Sequence, residues 1–180
     1  HGNLPTQEIK VEFSKKLRMH ANIHEDMKRF FDGFPLNAHP MATLSSMVTA
    51  LSAFSPDLSK DDPESINEII IKILAKVKTI AAYSYRKSHG LPFIYPDPEL
   101  NYIENFLHMM FSDSQESFHA DSVIVDVLDL LLILHADHEQ NCSTSTVRMA
   151  GSSLSNVFGA VSSGIAALWG PLHGGANQAV

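Results

Sequence analysis

The chain has 180 residues, of which 44% are apolar, and a formal net charge of −7. This length suits one or two domains with a sizeable core. The acidic balance, without any cluster of basic residues, argues against a nucleic-acid partner. All 13 basic and 20 acidic residues lie between Glu8 and Arg148, so residues 149–180 carry no formal charge. Serines and glycines interrupt this uncharged block, which excludes a membrane span of about 20 apolar residues. We therefore expect the block to pack closely against other protein.

The cysteine content and the first residues bear on the compartment. The single cysteine, Cys142, excludes an intrachain disulfide and a cysteine-only metal cluster. It is typical of a protein from a reducing compartment. Residues 1–5 show no basic segment followed by an apolar one, so no signal peptide is visible. We expect a cytoplasmic protein.

Helical periodicity dominates, and no segment shows the period-2 alternation of a hairpin strand. Pro40 is expected to open a helix that runs from Met41 towards Phe54. Asp62-Pro63-Glu64 supplies an N-cap acceptor, a proline at the first helical position and an acid near the positive end of the helix dipole. The helix that follows has one apolar stripe, made of Ile66, Ile69, Ile70, Ile73, Leu74, Val77 and Ile80. Three lysines are expected largely outside that buried stripe: Lys72, Lys76 and Lys78.

Four more helices are predicted in the second half. Asp97-Pro98-Glu99 repeats the start signal and predicts a helix there, with Leu100, Ile103, Phe106, Leu107 and Met110 on one side. The apolar run 123–134, broken only by two aspartates, predicts a helix with one narrow polar edge. Residues 149–158 and 160–169 are predicted as two helices separated near Gly159. Loops are expected at 55–62, 89–98 and 112–121. The predicted fold class is all-α.

An abruptly polar segment follows the apolar run. It reads His135-Ala136-Asp137-His138-Glu139-Gln140-Asn141-Cys142-Ser143. Two histidines and two carboxylates within five residues could hold a metal, although their order differs from the His-Glu-x-x-His of zinc peptidases. The residues alone leave three interpretations open: a helix end satisfied by local polar groups, an organic-anion site, or a metal site. Residues 143–146 lie outside any Gly-x-Ser-x-Gly elbow, and Cys142 is expected to be a small buried residue.

A glycine-rich segment surrounds His173. Gly170, Gly174 and Gly175 permit close approach of a ligand or another chain. An imidazole near a helix N-terminus is kept neutral by the helix dipole and can hydrogen-bond a developing oxyanion. The residues alone nevertheless favour a turn between packed helices with a buried, hydrogen-bonded histidine.

These segments together resemble the citrate synthase family. The run from Ile133 to Ser153 (ILHADHEQNCSTSTVRMAGSS) is similar to the oxaloacetate-site segment of bacterial members. Residues 168–177 (LWGPLHGGAN) are similar to the segment that holds one catalytic histidine. Three shorter motifs match in the same order, HPM at 39–41, PFIYP at 92–96 and NFLHMMF at 105–111. The resemblance runs from about residue 5 to the end, and it implies the N-terminal part of the family's multi-helix large domain, truncated and without the small CoA-binding domain.

The resemblance implies an acyltransferase that condenses acetyl-CoA with oxaloacetate and water to give citrate and CoA. His173 would donate a proton or hydrogen bond to the acetyl-CoA carbonyl as the methyl group is deprotonated. His138 would bind and orient oxaloacetate, with support from Asn141, Ser143 and Ser145. No metal or other cofactor is expected, because acetyl-CoA is a substrate, and no CoA-binding residue is identified. A homodimer or higher homo-oligomer would form through helices in 40–54 and 149–169.

The resemblance also sets expectations for what this chain does alone. The family's catalytic aspartate, its second catalytic histidine and the arginines that clamp oxaloacetate lie C-terminal to the His173 segment, and none is in this chain. We therefore expect a fragment whose 180 residues do not perform the condensation by themselves.

Three alternatives stay open. A 2-methylcitrate synthase would share the site and use propionyl-CoA, since one methylene in an apolar pocket is worth only about 1–3 kcal/mol of discrimination. The isolated chain could instead be a non-catalytic helical dimerisation module, or a His/Asp metal protein. Neither a nucleic acid nor a membrane is expected as a partner.

Overall fold

The computed structural model describes residues 3–55, 62–113, 116, 118–136 and 139–175. Every regular element in these residues is helical, which confirms the all-α prediction. The α-helices are α1 (Gln7–Met19), α2 (Glu25–Lys28), α3 (Pro40–Ala50), α4 (Pro63–Ser88), α5 (Tyr102–Phe111), α6 (Ser122–Leu134), α7 (Cys142–Ser152) and α8 (Val157–Leu168). Short 3₁₀ helices follow α2 and α3, at Arg29–Gly33 and Leu51–Phe54. None of the described helices combines the length and the apolar character that crossing a membrane requires.

The longest helix, α4, begins where the sequence predicts. Asp62 Oδ2 accepts the backbone N–H of Ser65 at 2.9 Å, and Pro63 occupies the first turn. The helix continues to Ser88, beyond the end of the apolar stripe at Ile80. Helices α1, α3, α5 and α8 all pack against it. It is therefore buried on more than one side.

Packing on several sides changes which residues of α4 are buried. Ile69, Ile73 and Ile80 are buried as predicted, whereas Ile70 and Leu74 are 43% and 41% exposed. Lys78 is only 4% exposed, so the expectation that it lies outside the buried face is wrong. A single-stripe pattern assumes one buried face, and a helix with neighbours on several sides has no such single face.

The predicted start of α5 is also wrong, because the helix begins at Tyr102 and not at Pro98. Asn101 Oδ1 accepts the Glu104 N–H at 2.9 Å, and Glu104 Oε2 accepts the Asn101 N–H at 3.0 Å. This capping box satisfies two donors at once. Asp97 is held outside the helix by the buried Asn105, whose Nδ2 donates to the Asp97 carbonyl at 2.6 Å. The Asp-Pro-Glu signal therefore marks a turn before the helix.

The loop at 89–98, confirmed as non-helical, is tied to the core by Arg86. This side chain is 2% exposed. Its guanidinium donates to the backbone carbonyls of Pro92, Met110 and Ser112, the last two at 2.9 and 2.7 Å. One buried cation thus links the end of α4, the following loop and the end of α5.

The predicted boundary near Gly159 is wrong, since α7 ends at Ser152 and α8 begins at Val157. Asn156 Oδ1 accepts the Gly159 N–H at 2.8 Å, so Gly159 lies in the first turn of α8. The chain reverses between the helices with Leu154 at a φ of 59°. An Asn N-cap with a glycine three residues later starts a helix here, where the glycine alone suggested a break.

The uncharged C-terminal block packs closely, as expected. Gly164 of α8 faces α7, and a Cβ atom placed on it would lie 2.5 Å from Val147 Cγ2 and 3.3 Å from the Ser143 carbonyl oxygen. Against α3, hydroxyl groups pair with one another. Ser162 Oγ donates to the Ser45 carbonyl at 2.8 Å, and Thr49 Oγ1 donates to Ser162 Oγ at 2.7 Å. The glycine and the hydroxyls allow α8 to approach both helices.

Helix α6 confirms the prediction for residues 123–134, with Asp121 as its N-cap. It packs on α5 through Val125 and Leu128. Most of its apolar side chains are 45–65% exposed, namely Val123, Ile124, Val127, Leu130, Leu131, Leu132, Ile133 and Leu134. The described residues cover little of this helix.

Candidate active site

An open cavity of about 820 Å³ lies where the start of α3, the end of α6, the start of α7 and the turn after α8 meet. Its walls combine imidazole, amide, hydroxyl and carboxylate groups with a few apolar side chains. The lining residues include His39, His135, Glu139, Asn141, Ser143, Thr144, Trp169 and His173. The cavity is large enough for an organic ligand.

His173 is held at the N-terminus of α7. The backbone N–H of Ser143 points at His173 Nε2 over 3.4 Å, and Ser143 Oγ lies 3.0 Å from the same nitrogen. Ser143 is the second residue of α7, so its N–H is one of the donors that lack a partner within the helix. The imidazole thus lies at the positive end of the α7 dipole, as the sequence analysis supposed for a catalytic role.

The backbone donor also bears on the tautomer of His173. A backbone N–H cannot rotate, whereas a serine hydroxyl can. With its proton on Nδ1 the ring accepts this N–H at Nε2, whereas with its proton on Nε2 it donates to Ser143 Oγ, whose own proton goes to Asn141 Oδ1. Among the described residues no hydrogen bond to Nδ1 is found. In the first of these two tautomers, Nδ1 can donate to a bound carbonyl.

Asn141 organises the polar side of the cavity. Its Oδ1 accepts the Thr144 N–H at 2.9 Å and the Ser143 hydroxyl at 2.9 Å. The first bond makes Asn141 the N-cap of α7, and the second fixes the hydroxyl beside the imidazole. Asn141, Ser143 and His173 therefore lie next to one another. All three were predicted as site residues.

The turn that carries His173 depends on close backbone contacts. The His173 N–H donates to the Gly170 carbonyl at 3.0 Å, and the Gly175 N–H donates to the same oxygen at 3.1 Å. A Cβ on Gly174 would lie 2.9 Å from Leu168 Cδ1 and closer still to the Leu168 carbonyl oxygen. The predicted close approach is thus made by the chain's own backbone.

The structure adds His39 and Trp169, which the sequence analysis did not name as site residues. Their rings are stacked, with centres 4.7 Å apart and planes 27° apart. His39 Nδ1 accepts the Met41 N–H at 3.2 Å, so His39 is the N-cap of α3. Through its stacking on Trp169, His39 connects the start of α3 to the beginning of the turn that carries His173. Both residues occur in the motifs at 39–41 and 168–177, but no spacing rule indicates that distant rings stack.

One predicted site residue, Ser145, is not brought into this arrangement. Ser145 Oγ accepts a hydrogen bond from Gln140 Nε2 at 2.7 Å and lines a different groove, with Cys142, Met149 and Ser163. His138 lies outside the described residues, so its role stays a prediction, as does that of Ser145. Cys142 is exposed, which corrects the expectation that it is buried.

The polar segment at 135–143 closes one helix and starts the next. His135 is the C-cap of α6, and its Nδ1 lies 2.7 Å from the Leu131 carbonyl oxygen. Glu139 has a φ of 59°, which turns the chain towards Asn141. Within the described residues no cluster of three His, Cys, Asp or Glu is suited to a metal. Because Asp137 and His138 are outside that set, the metal interpretation stays untested.

Comparisons with known proteins show the family of this chain. The whole chain, residues 1–180, matches the family model for "Citrate synthase, C-terminal domain". It is 56% identical to citrate synthase 1 of Mycobacterium tuberculosis and 50% identical to citrate synthase of Corynebacterium glutamicum, each over 181 residues. These alignments cover all of this chain but only 42% and 41% of the relatives.

Solved structures show the same fold. Citrate synthase from Pyrobaculum aerophilum superposes with a TM-score of 0.86 at 34% identity. The citrate synthase of Thermoplasma acidophilum, solved in a ternary complex with carboxymethyl coenzyme A and oxaloacetate, gives 0.89 at 27% identity. Each match covers 99% of this chain and 45% of the solved chain.

The described residues form an all-α fold with an open cavity, in which His173 lies at a helix N-terminus. The chain belongs to the citrate synthase family. It spans less than half the length of the relatives that it matches.

Proposed function

We propose that the protein carrying this chain is a citrate synthase, an acyltransferase that joins acetyl-CoA to oxaloacetate and, with water, gives citrate and free CoA. The observation that carries the proposal is the His173 imidazole at the α7 N-terminus, beside Ser143 and Asn141 in one open cavity. Membership of the family supports the same reaction. The tricarboxylic acid cycle is the corresponding pathway.

The proposed chemistry uses His173 as a proton or hydrogen-bond donor. A base removes a proton from the acetyl methyl group, and the electrons move onto the thioester oxygen, where Nδ1–H of His173 stabilises them as the enol or enolate. The methyl carbon then bonds to the ketone carbon of oxaloacetate, whose C=O π electrons move onto the oxygen, and that oxygen takes up a proton to become the hydroxyl of citryl-CoA. Water cleaves the thioester and releases CoA. The resemblance assigns the base to an aspartate C-terminal to this chain.

Oxaloacetate is the proposed occupant of the polar side of the cavity. The positive end of the α7 dipole favours a carboxylate there. Asn141 supplies an amide that is already fixed by its cap bond. His138 is proposed to hold the substrate next to it, following the family resemblance.

Asn141 offers a test with a matched control. Asn156 caps α8 in the same way but does not line the cavity. Asn141→Ala and Asn156→Ala should each lose about 1 kcal/mol of stability as a lost cap. Calorimetric titration with oxaloacetate should show weaker binding, by tenfold or more, for Asn141→Ala only. Equal binding by both variants would contradict an oxaloacetate site at Asn141.

The tautomer of His173 can be measured directly. In protein labelled with ¹⁵N-histidine, the proposal expects a protonated Nδ1 and an unprotonated Nε2 for His173 near pH 7. Assignment uses His173→Gln, which removes the signals. A ring with its proton on Nε2 would leave no donor for the thioester oxygen in this pose.

The acyl group is tested by comparing thioesters. Free CoA released by the full-length protein should appear faster with acetyl-CoA than with propionyl-CoA at equal concentration. Preference for propionyl-CoA would identify a 2-methylcitrate synthase instead. The 180-residue chain alone should release no CoA above background, because the resemblance puts the base and the carboxylate clamps elsewhere.

The assembly and the compartment are proposed from the exposed side chains. A homodimer through α3 and the α7–α8 pair is supported by apolar side chains left uncovered there, such as Met149 and Leu154 at 75% and 65% exposure. A cytoplasmic location fits the exposed free thiol of Cys142, since exposed thiols persist in reducing compartments. Sedimentation of the full-length protein should give twice the mass of one chain.

A further inference from the structure

A second, smaller cavity lies between α1, α4 and the start of α5. Its volume is about 80 Å³. None of its lining residues belongs to the His173 cavity, so ligand binding in the two places can be measured separately. The walls are formed by Ser14, Leu17, Arg18, Lys78, Asn101 and Tyr102.

Lys78 is the unusual member of this set. Its side chain is 4% exposed, and its ammonium lies 4.5 Å from the centre of the Tyr102 ring. No carboxylate or carbonyl among the described residues accepts a hydrogen bond from it. The Tyr102 hydroxyl donates instead to the Leu74 carbonyl at 2.8 Å. The Lys78 ammonium contacts the Tyr102 ring and has no anionic partner among the described residues, so an anion in the cavity would pair with it.

Arg18 supplies a second cation to the same cavity. It lies one helical turn after Ser14 on α1, which puts the guanidinium and the hydroxyl on one face. No ion pair to Arg18 occurs within the described residues. A guanidinium fork and an ammonium together match the oxygens of a tetrahedral anion.

The remaining walls are consistent with an anion. Leu17 and the Tyr102 ring form the apolar part of the walls. No acidic residue is among the lining residues, and Glu104, three residues after Asn101, accepts the Asn101 N–H in the capping box. The same box satisfies the first donors of α5, so the two cations carry the attraction and the helix end adds little.

We propose that this cavity binds one small tetrahedral oxyanion, either free phosphate or sulfate or the terminal phosphate of an ester. A volume of 80 Å³ corresponds to two or three waters at roughly 30 Å³ each, which is the size of such an ion. Burial lowers the pKa of Lys78 to about 8, so the ammonium is charged near pH 7. The bound anion would join α1, α4 and α5 and stabilise their contact.

Calorimetric titration of the full-length protein with sodium sulfate, sodium phosphate and methyl phosphate tests the proposal, at constant ionic strength set with sodium chloride. Lys78→Met keeps the length of the side chain and removes its charge, and it should weaken binding at least tenfold. Lys15→Met makes the same change on the exposed face of α1 next to Ser14 and should stay within twofold. Binding of methyl phosphate as tight as phosphate would indicate an ester as the natural ligand.

A second variant covers the case in which Lys78→Met alters the fold. Arg18→Gln changes a partly exposed side chain and should also weaken binding tenfold or more. Adding phosphate should raise the melting temperature of the wild type and of Lys15→Met but not that of Arg18→Gln. Absence of anion binding by the wild type, or equal binding by all variants, would overturn the proposal.

Discussion

Replacing Gly164 by alanine tests the helix contact that determines where Ser143 lies. A Cβ atom at Gly164 would be 2.5 Å from Val147 Cγ2, whereas carbon atoms in contact are about 3.5–4.0 Å apart. Either α7 or α8 must move by about 1 Å. The valine cannot avoid the clash easily, because a β-branched side chain in a helix has one preferred rotamer. Any shift of α7 displaces the backbone N–H that points at His173.

The size of the effect follows from two opposing terms. Alanine is favoured over glycine inside a helix by about 1 kcal/mol. Overpacking costs about 1–3 kcal/mol. Gly159 of the same helix provides the control, since a Cβ there would meet nothing closer than 3.5 Å. Gly159→Ala should raise the free energy of unfolding by up to about 1 kcal/mol. The free energy of unfolding of Gly164→Ala should be about 1–3 kcal/mol lower than that of Gly159→Ala.

Urea denaturation followed by circular dichroism measures these differences. The clash should disappear in a Val147→Ala background, where Gly164→Ala should recover the gain seen for Gly159→Ala. This double-mutant comparison isolates the contact between α7 and α8. If Gly164→Ala stabilised the wild type as much as Gly159→Ala does, the close approach of the two helices would be refuted.

Three further predictions concern buried polar groups. Arg86→Met should cost about 3–5 kcal/mol, because three carbonyls lose a buried cationic donor. The neighbouring variant Lys87→Met removes a partly buried side chain whose one ion pair, to the exposed Asp32, is weak, and it should cost less than about 1 kcal/mol in the same urea assay; equal losses would contradict the role of Arg86 in linking α4 to α5. The Tyr83 hydroxyl is buried and has no hydrogen-bond partner among the described residues, so Tyr83→Phe should leave the melting temperature unchanged or raise it, and a clear drop would reveal a missed partner. Burial lowers the pKa values of Lys76 and Lys78 to about 8 from the 10.5 of an unfolded chain. Between those values the unfolded chain binds more protons, so the free energy of unfolding should rise with pH from about 8 to 10.5. Lys78→Met should remove part of that rise, and an unchanged slope would contradict the shifted pKa.

The sequence predicted a helix correctly where a single capping motif or apolar run marked it and no second motif competed. Asp62-Pro63 fixes the start of α4, and its side-chain cap bond to Ser65 is present. The helix from Ser122 follows from its composition alone. The glycines around His173 suggest a tight turn in which the imidazole could lie near a helix N-terminus. That helix is α7, whose Ser143 lies 30 residues before His173 in the chain. Which helix that is depends on tertiary packing, which periodicity does not contain.

Competing local signals and tertiary contacts caused the errors. Two start signals lie within eight residues at Asp97 and Asn101, and the reciprocal bonds of the capping box favour the second. Gly159 suggested a break because an isolated glycine weakens a helix, yet the Asn156 side chain holds it in the first turn. Lys78 was expected outside the buried stripe, since no local rule shows that α1 and α5 cover that side of α4.

The rate of CoA release from acetyl-CoA and oxaloacetate, measured for His173→Gln in the full-length protein, tests the central claim most directly. General acid–base groups contribute about 10²–10⁴-fold, so His173→Gln should lower the rate at least 100-fold. His24→Gln is the matched control, because that imidazole caps α2 outside the cavity and its loss should change the rate less than twofold. A His173→Gln enzyme as fast as the wild type would contradict the assignment of His173 to the reaction.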